Sequence, residues 1–206
     1  MSSTFLAYTL TSSFMDSGRP YIRIGSGGSS NNEVFLRPET ALKDSYWIVI
    51  LNAQNPRQKV KDWIVPGDNN AVPAGIETFM DNPAYIFAVL TGALLTQNVP
   101  LDAFYNFLAK YGAGPQLQKL EQLHSTMGYG VYGGRVAYIL TGPCGPRTPV
   151  PPESYEAATW GDQSSYSMPL MLSLQSMPNG QPPYGITEAY TWIPRMPRGQ
   201  SMSEEQ

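Results

Sequence analysis

The chemistry open to this chain is bounded first by two residues, because His124 is its sole histidine and Cys144 its sole cysteine. A zinc site takes three or four nitrogen and sulfur ligands, or fewer completed by carboxylates. Counting leaves a Cys/His pair open. His124, however, follows Leu120 and Leu123 in a helical stretch, and Cys144 stands among glycines and prolines, so both read as packing residues. No metal site, catalytic residue or cofactor is therefore expected. One cysteine also forbids an internal disulfide. A serine hydrolase of the α/β type needs Gly-x-Ser-x-Gly, which the sequence lacks. The glycine-rich run 25–28 lacks the Lys-Ser/Thr ending of a phosphate loop and reads as linker.

Carboxylates are the remaining route to catalysis. A glycoside hydrolase sets two of them across a cleft. Asp62, Asp68, Glu153, Glu156 and Asp162 are candidates, but spacing pairs none of them, and each reads first as a solvated surface or turn group.

Aromatic residues are the surplus. Tyr129 and Tyr132 lie in a run of glycines, 128–134, and Tyr155, Trp160, Tyr166, Tyr184, Tyr190 and Trp192 populate the last quarter of the chain. Exposed Tyr and Trp offer stacking surface to sugars and contact area to protein partners. Tyr129, Tyr132, Trp160 and Tyr184 are accordingly candidate binding residues.

Positioning these groups falls to a chain of 206 residues, 42% apolar, enough for one domain with a sizeable core. Only 14% of residues are charged, against about 25% in an ordinary soluble domain. Gly and Pro number 19 each and Tyr 13. Ser, Thr, Asn, Gln and Tyr must then make the surface polar. The net charge is −3 and no basic run stands out, which argues against nucleic-acid binding. No run of 18 apolar residues occurs, so no membrane insertion is expected. The first eight residues lack the basic and apolar regions of a signal peptide. Synthesis in the cytoplasm is expected, with release as part of a virion or other particle.

Four zones are expected. Residues 1–43 hold short strands at 5–10, 21–24 and 33–36 and a Gly/Ser loop at 25–32. Residues 44–145 form an α/β core. There the continuous apolar run 46–51 suits a strand buried on both faces. A more amphipathic strand at 58–65, a short helix at 74–80 and a buried strand at 85–91 follow. Helices at 100–111 and 115–126 have apolar residues at helical spacing, with Gly112 placed to end the first. A last buried strand covers 135–141. Residues 146–193 bring a Pro-rich connector and strands at 168–174 and 186–192, and 194–206 read as a disordered tail or arm. The fold class is mixed α+β: a central sheet or sandwich covered by about three short helices, with β-rich extensions at both ends.

The central zone resembles the interleukin-like EMT-inducer (ILEI/PANDER-like) domain. The strand Trp47-Ile-Val-Ile-Leu-Asn52, the second strand near 60–65, the helix ending at Phe79-Met80, the strand 85–91, the helix 101–111 and the final strand Val136-Ala-Tyr-Ile-Leu before Gly142 carry the resemblance. It implies a non-enzymatic protein and possession of a sugar-binding surface. Arg135 is the position it carries over.

Together these readings point to a structural or assembly protein, a virion (phage-like) or other particle component, whose partners are copies of itself or particle proteins. The alternatives are a glycan-binding module and, third, a carboxylate-based glycoside hydrolase.

Overall fold

A computed structural model describes residues 5–13, 18–25, 32–39, 43–69, 71–127, 134–146, 152–161, 167–177 and 179–191. Most of the expected Gly/Ser loop and of the Pro-rich connector, the C-terminal tail and both Tyr129 and Tyr132 lie outside them.

The described residues form a mixed, sheet-rich structure of 11 strands and three α-helices. Five strands make one run, ordered β5 (Lys59–Pro66), β4 (Ser45–Asn52), β6 (Tyr85–Gly92), β8 (Arg135–Pro143) and β9 (Tyr155–Gly161). All their mutual pairings are antiparallel. The two-residue β7 (Leu94–Leu95) pairs with the start of β8. A second antiparallel run is β3 (Glu33–Leu36), β2 (Tyr21–Gly25), β1 (Phe5–Ser13), β10 (Ser167–Ser176) and β11 (Tyr184–Thr191). Its longest pairing joins opposite ends of the chain, from Phe5–Gln175 to Ser13–Ser167.

β4 shows why the central strands are almost wholly apolar. Ser45 through Leu51 are all buried. Tyr46, Ile48 and Ile50 face one core with Phe87, Val89, Tyr138 and Leu140. Trp47, Val49 and Leu51 face a second core with Leu6, Tyr8, Leu10, Ile22, Leu170 and Leu172. A strand with no wet face cannot alternate, so it reads as a continuous apolar run.

The helices close the first core. α1 (Glu77–Met80) contributes Met80, α2 (Asp102–Lys110) Phe104, Phe107 and Leu108, and α3 (Pro115–Met127) Leu117 and Leu120. α2 starts two residues later than Pro100, because Leu101 is extended and stands as the cap. It ends as its glycine requires. Gly112 has φ +99°, its N–H donates to Ala109 O and the N–H of Ala113 donates to Leu108 O, a pair of bonds that a left-handed residue closes at least cost.

The two runs meet at one bridge, Ser13–Gly92, where β1 lies parallel to β6. The β6–β8 ladder runs from Ile86–Pro143 to Leu90–Ile139. One step further, Ser12 enters the gap. Its hydroxyl donates to Tyr138 O at 2.7 Å and accepts from Thr91 N at 3.0 Å. Thr91 Oγ1 accepts from Tyr138 N at 2.9 Å. Two hydroxyls thus satisfy buried backbone groups that the ladder leaves behind, as a dry interior demands.

Several tyrosines finish in the interior. Burial pushes the phenols of Tyr8, Tyr46 and Tyr138 up, and burial with the hydrogen bond to Asp81 pushes Tyr111 up to about 12. A tyrosine in the unfolded chain ionises near 10. Above that pH the native state holds more protons than the unfolded one, so their contribution is complete below pH ~10 and is lost as pH rises towards the folded values. The melting temperature is expected to fall steeply above pH ~10. Tyrosinate absorbance from these residues should rise with unfolding rather than before it. Their titration in a still-folded chain would refute this.

Candidate functional site

Strand directions sort the expected binding residues onto two ends of the sheet. β8 begins and β9 finishes at the same end, where Arg135 pairs with Gly161 and Val136 with Trp160. Arg135 and Trp160 therefore sit together, but they are adjacent in register and project to opposite faces. The guanidinium of Arg135 donates to Ala93 O at 2.9 Å, bracing the turn after β6, where Ala93 has φ 50°. Trp160 remains 48% exposed. Its indole nitrogen lies close to Gly134, where a Cβ would stand 2.8 Å from Trp160 Nε1 and 3.0 Å from Thr96 Cγ2. Asp44 lies at the same end and accepts from Leu95 N and Asn98 Nδ2. His124 Nδ1 lies 3.4 Å from Thr96 O.

Tyr184 is at the other end. Its N–H donates to Ala53 O, beyond the last residue of β4, and it pairs with Ser176. With Gln175, Met177, Pro183 and Thr187 it lines a shallow groove of about 350 Å³. The structure thus brings Arg135 and Trp160 near one another and leaves Tyr184 apart.

Carboxylates are distributed against catalysis by a pair. Asp62 is opposite Val49, on the second-core side of the sheet, where it accepts from Trp47 Nε1 at 2.9 Å and from Lys59 Nζ at 3.0 Å. Glu156 is opposite Leu140, on the helix side. Its Oε1 accepts from Gly114 N at 3.0 Å and Gln116 N at 2.7 Å, and its Oε2 accepts from Tyr138 Oη at 3.0 Å. The two lie on different faces and on the first and last strands of the five-strand run, about 19 Å apart by strand spacing, beyond the reach of a glycosidase pair. Asp68 and Glu153 are exposed, and Asp162 lies outside the described residues. Among the described residues no three His, Cys, Asp or Glu gather as metal ligands. Cys144 is buried in the first core.

Residues 128–133 spell Gly-x-Gly-x-x-Gly. They leave a helix, α3, and lead into a strand, β8. The dinucleotide fingerprint needs the reverse order, strand into helix, so that phosphate meets a helix N-terminus.

The largest feature that sequence reading missed is the outer face of the second run. Register places Val34, Arg23, Thr9 and Met171 in one row across β3, β2, β1 and β10. Leu36, Tyr21, Thr11 and Pro169 form the next row, in which Thr11 is buried. Of seven large apolar side chains exposed among the described residues, Phe5, Val34, Leu36 and Met171 lie on this face. Arg23 is the one charged residue among the described outward side chains of these four strands. Alternation could not reveal the face. In Phe5-Leu-Ala-Tyr-Thr-Leu10 both parities carry apolar residues, so either could have been the buried set.

No helix among the described residues is long and apolar enough to cross a membrane. No family model, curated protein or solved structure matches the chain.

Proposed function

We propose that this chain is a structural, assembly-type protein, a component of a virion or other particle, and that it acts through protein–protein contacts made by the outer face of β3, β2, β1 and β10. In this reading the two runs of strands stack as a sandwich, which turns that face away from the second core. The observation that carries the reading is the face itself: four exposed large apolar side chains and a single charge. Depletion of charge with enrichment in aromatic residues and Met marks contact surfaces. The distribution of the carboxylates supports it from the other side, since Asp62 and Glu156 are occupied holding Trp47 and α3 in place.

Sedimentation velocity over a hundredfold range of concentration tests the proposal. The chain is expected to self-associate, and Met171→Lys, which sets a charge at the β10 end of the row, to shift it towards monomer. A wild-type chain that stays monomeric and binds no other particle protein defeats the reading.

A second reading, glycan binding, rests on Trp160, whose exposed indole is a large aromatic surface of the kind sugars stack on. It expects retention on a glycan array that Trp160→Ala abolishes. An array without hits removes it.

A further inference from the structure

β3 leaves an edge of the sheet without a neighbour among the described residues, because it pairs with β2 alone. The N–H of Arg37 donates to Pro20 O at 3.0 Å, and Tyr21–Leu36 to Ile24–Glu33 continue that ladder. Hydrogen-bonded and non-hydrogen-bonded pairs alternate along antiparallel strands. The backbone groups of Glu33, Phe35 and Arg37 therefore point at β2, and those of Val34 and Leu36 point outward. The same two residues carry exposed apolar side chains. Sheet edges are ordinarily blunted by charges or proline. The edge strand β5 carries Lys59, Lys61 and Asp62, whereas 34–36 in β3 is Val-Phe-Leu.

We propose that β3 pairs antiparallel with β3 of a second copy, about a two-fold axis passing beside Phe35. This deepens the assembly reading and rests on it. In that register Val34 stands opposite Leu36 of the other copy, and the symmetry repeats the pair. Each pair exchanges both its N–H and C=O groups, so four backbone hydrogen bonds form that neither copy makes alone. Phe35 faces its own counterpart and Glu33 stands across from Arg37, so no like charges are opposed. The occupant is a second copy because the outward, apolar positions are symmetric about Phe35: one strand supplies what its twin lacks. Pro38 limits the register, since the next outward N–H on that side is missing. The contact is isologous and closes at two. It also places the Val34–Arg23–Thr9–Met171 row of each copy beside the Leu36–Tyr21–Thr11–Pro169 row of the other, widening the outer face across the dimer.

Residue-resolved amide exchange at low and high protein concentration tests this directly. The amides of Val34 and Leu36 are expected to slow by about tenfold or more as dimer forms, while those of Phe35 and Arg37, already bonded to β2, hold their rates. Val34→Pro removes an outward N–H that β2 does not use, and is expected to sediment as monomer with an unchanged far-ultraviolet circular dichroism spectrum. Concentration-independent exchange at Val34 and Leu36 overturns the pairing whether or not Val34→Pro folds. If the wild-type chain still associates in that case and Met171→Lys disperses it, the pairing fails while the assembly reading stands. A chain monomeric throughout and without particle partners sinks both.

Discussion

Glu156→Ala is expected to lower stability by about 3–4 kcal/mol, the sum of lost hydrogen bonds to a charged acceptor and a stranded buried hydroxyl. The carboxylate stands on β9 but caps α3, taking the N–H groups of Gly114 and Gln116 that the first helical turn leaves open. Its other oxygen holds the hydroxyl of Tyr138, whose ring is fully buried. Alanine would leave that phenol without its acceptor and unfasten the helix from the sheet. Glu156→Gln keeps an acceptor for the two N–H groups and a polar neighbour for the phenol, so it should recover most of the loss. For a chain of this length the alanine variant should melt about 6–16 °C lower. Chemical denaturation of both variants checks the order. Equal, small losses in the two would show that the cap contributes little.

Ser12→Ala should cost about 2–3 kcal/mol, although it removes a single oxygen, because Thr91 N–H loses its partner and Tyr138 C=O keeps only the long contact from the Thr91 hydroxyl, at 3.5 Å. Thr91 N–H donates to that hydroxyl and Tyr138 C=O takes its shorter bond from it, at the point where the β6–β8 ladder stops and β1 enters. Thr91→Val strands Tyr138 N–H in the same gap. The two changes act on one junction, so the double variant is expected to lose less than the two single losses added, and a double-mutant cycle measures the difference. Strict additivity would mean that the hydroxyls act independently and do not join the two runs of strands. A full-sized loss for Ser12→Ala with an intact helix signal would place the damage at the junction.

Legibility differed from element to element for physical reasons. The run 46–51 was readable because a strand buried on both faces must be apolar throughout. α2 was readable because Phe104, Leu108 and the closing Gly112 recur at helical spacing, and only its first turn was misplaced. β9 was not. Tyr155-Glu-Ala-Ala-Thr-Trp-Gly has two alanines and little β-branched content, and becomes a strand only because β8 offers a partner along seven positions. β7 is two residues long and exists solely by pairing with Arg135 and Val136. The strand 5–10 was legible, yet it runs on through Ser13, because nothing local shows that the Ser12 hydroxyl will meet Tyr138 and Thr91.

The candidate surfaces divide along the same line. Trp160 was singled out by residue type, and it is exposed. Arg135, carried by resemblance, proved to brace Ala93, and Tyr184 stands at the far end of the sheet from both. Among the carboxylates, spacing paired none, and the structure sets Asp62 and Glu156 on different faces and on different strands.

Composition and periodicity alone determined that the chain has a large core, central strands without a wet side, two helices of known face, and too few histidines and cysteines for an ordinary zinc site. Those properties are local or additive, so they survive in one dimension. Tertiary structure decided which parity of β1 faces outward, which edge lacks a neighbour, and which acid caps which helix. Each of these depends on a partner more than 20 residues away or on an open edge left without one, and a single strand carries no mark of what will lie beside it.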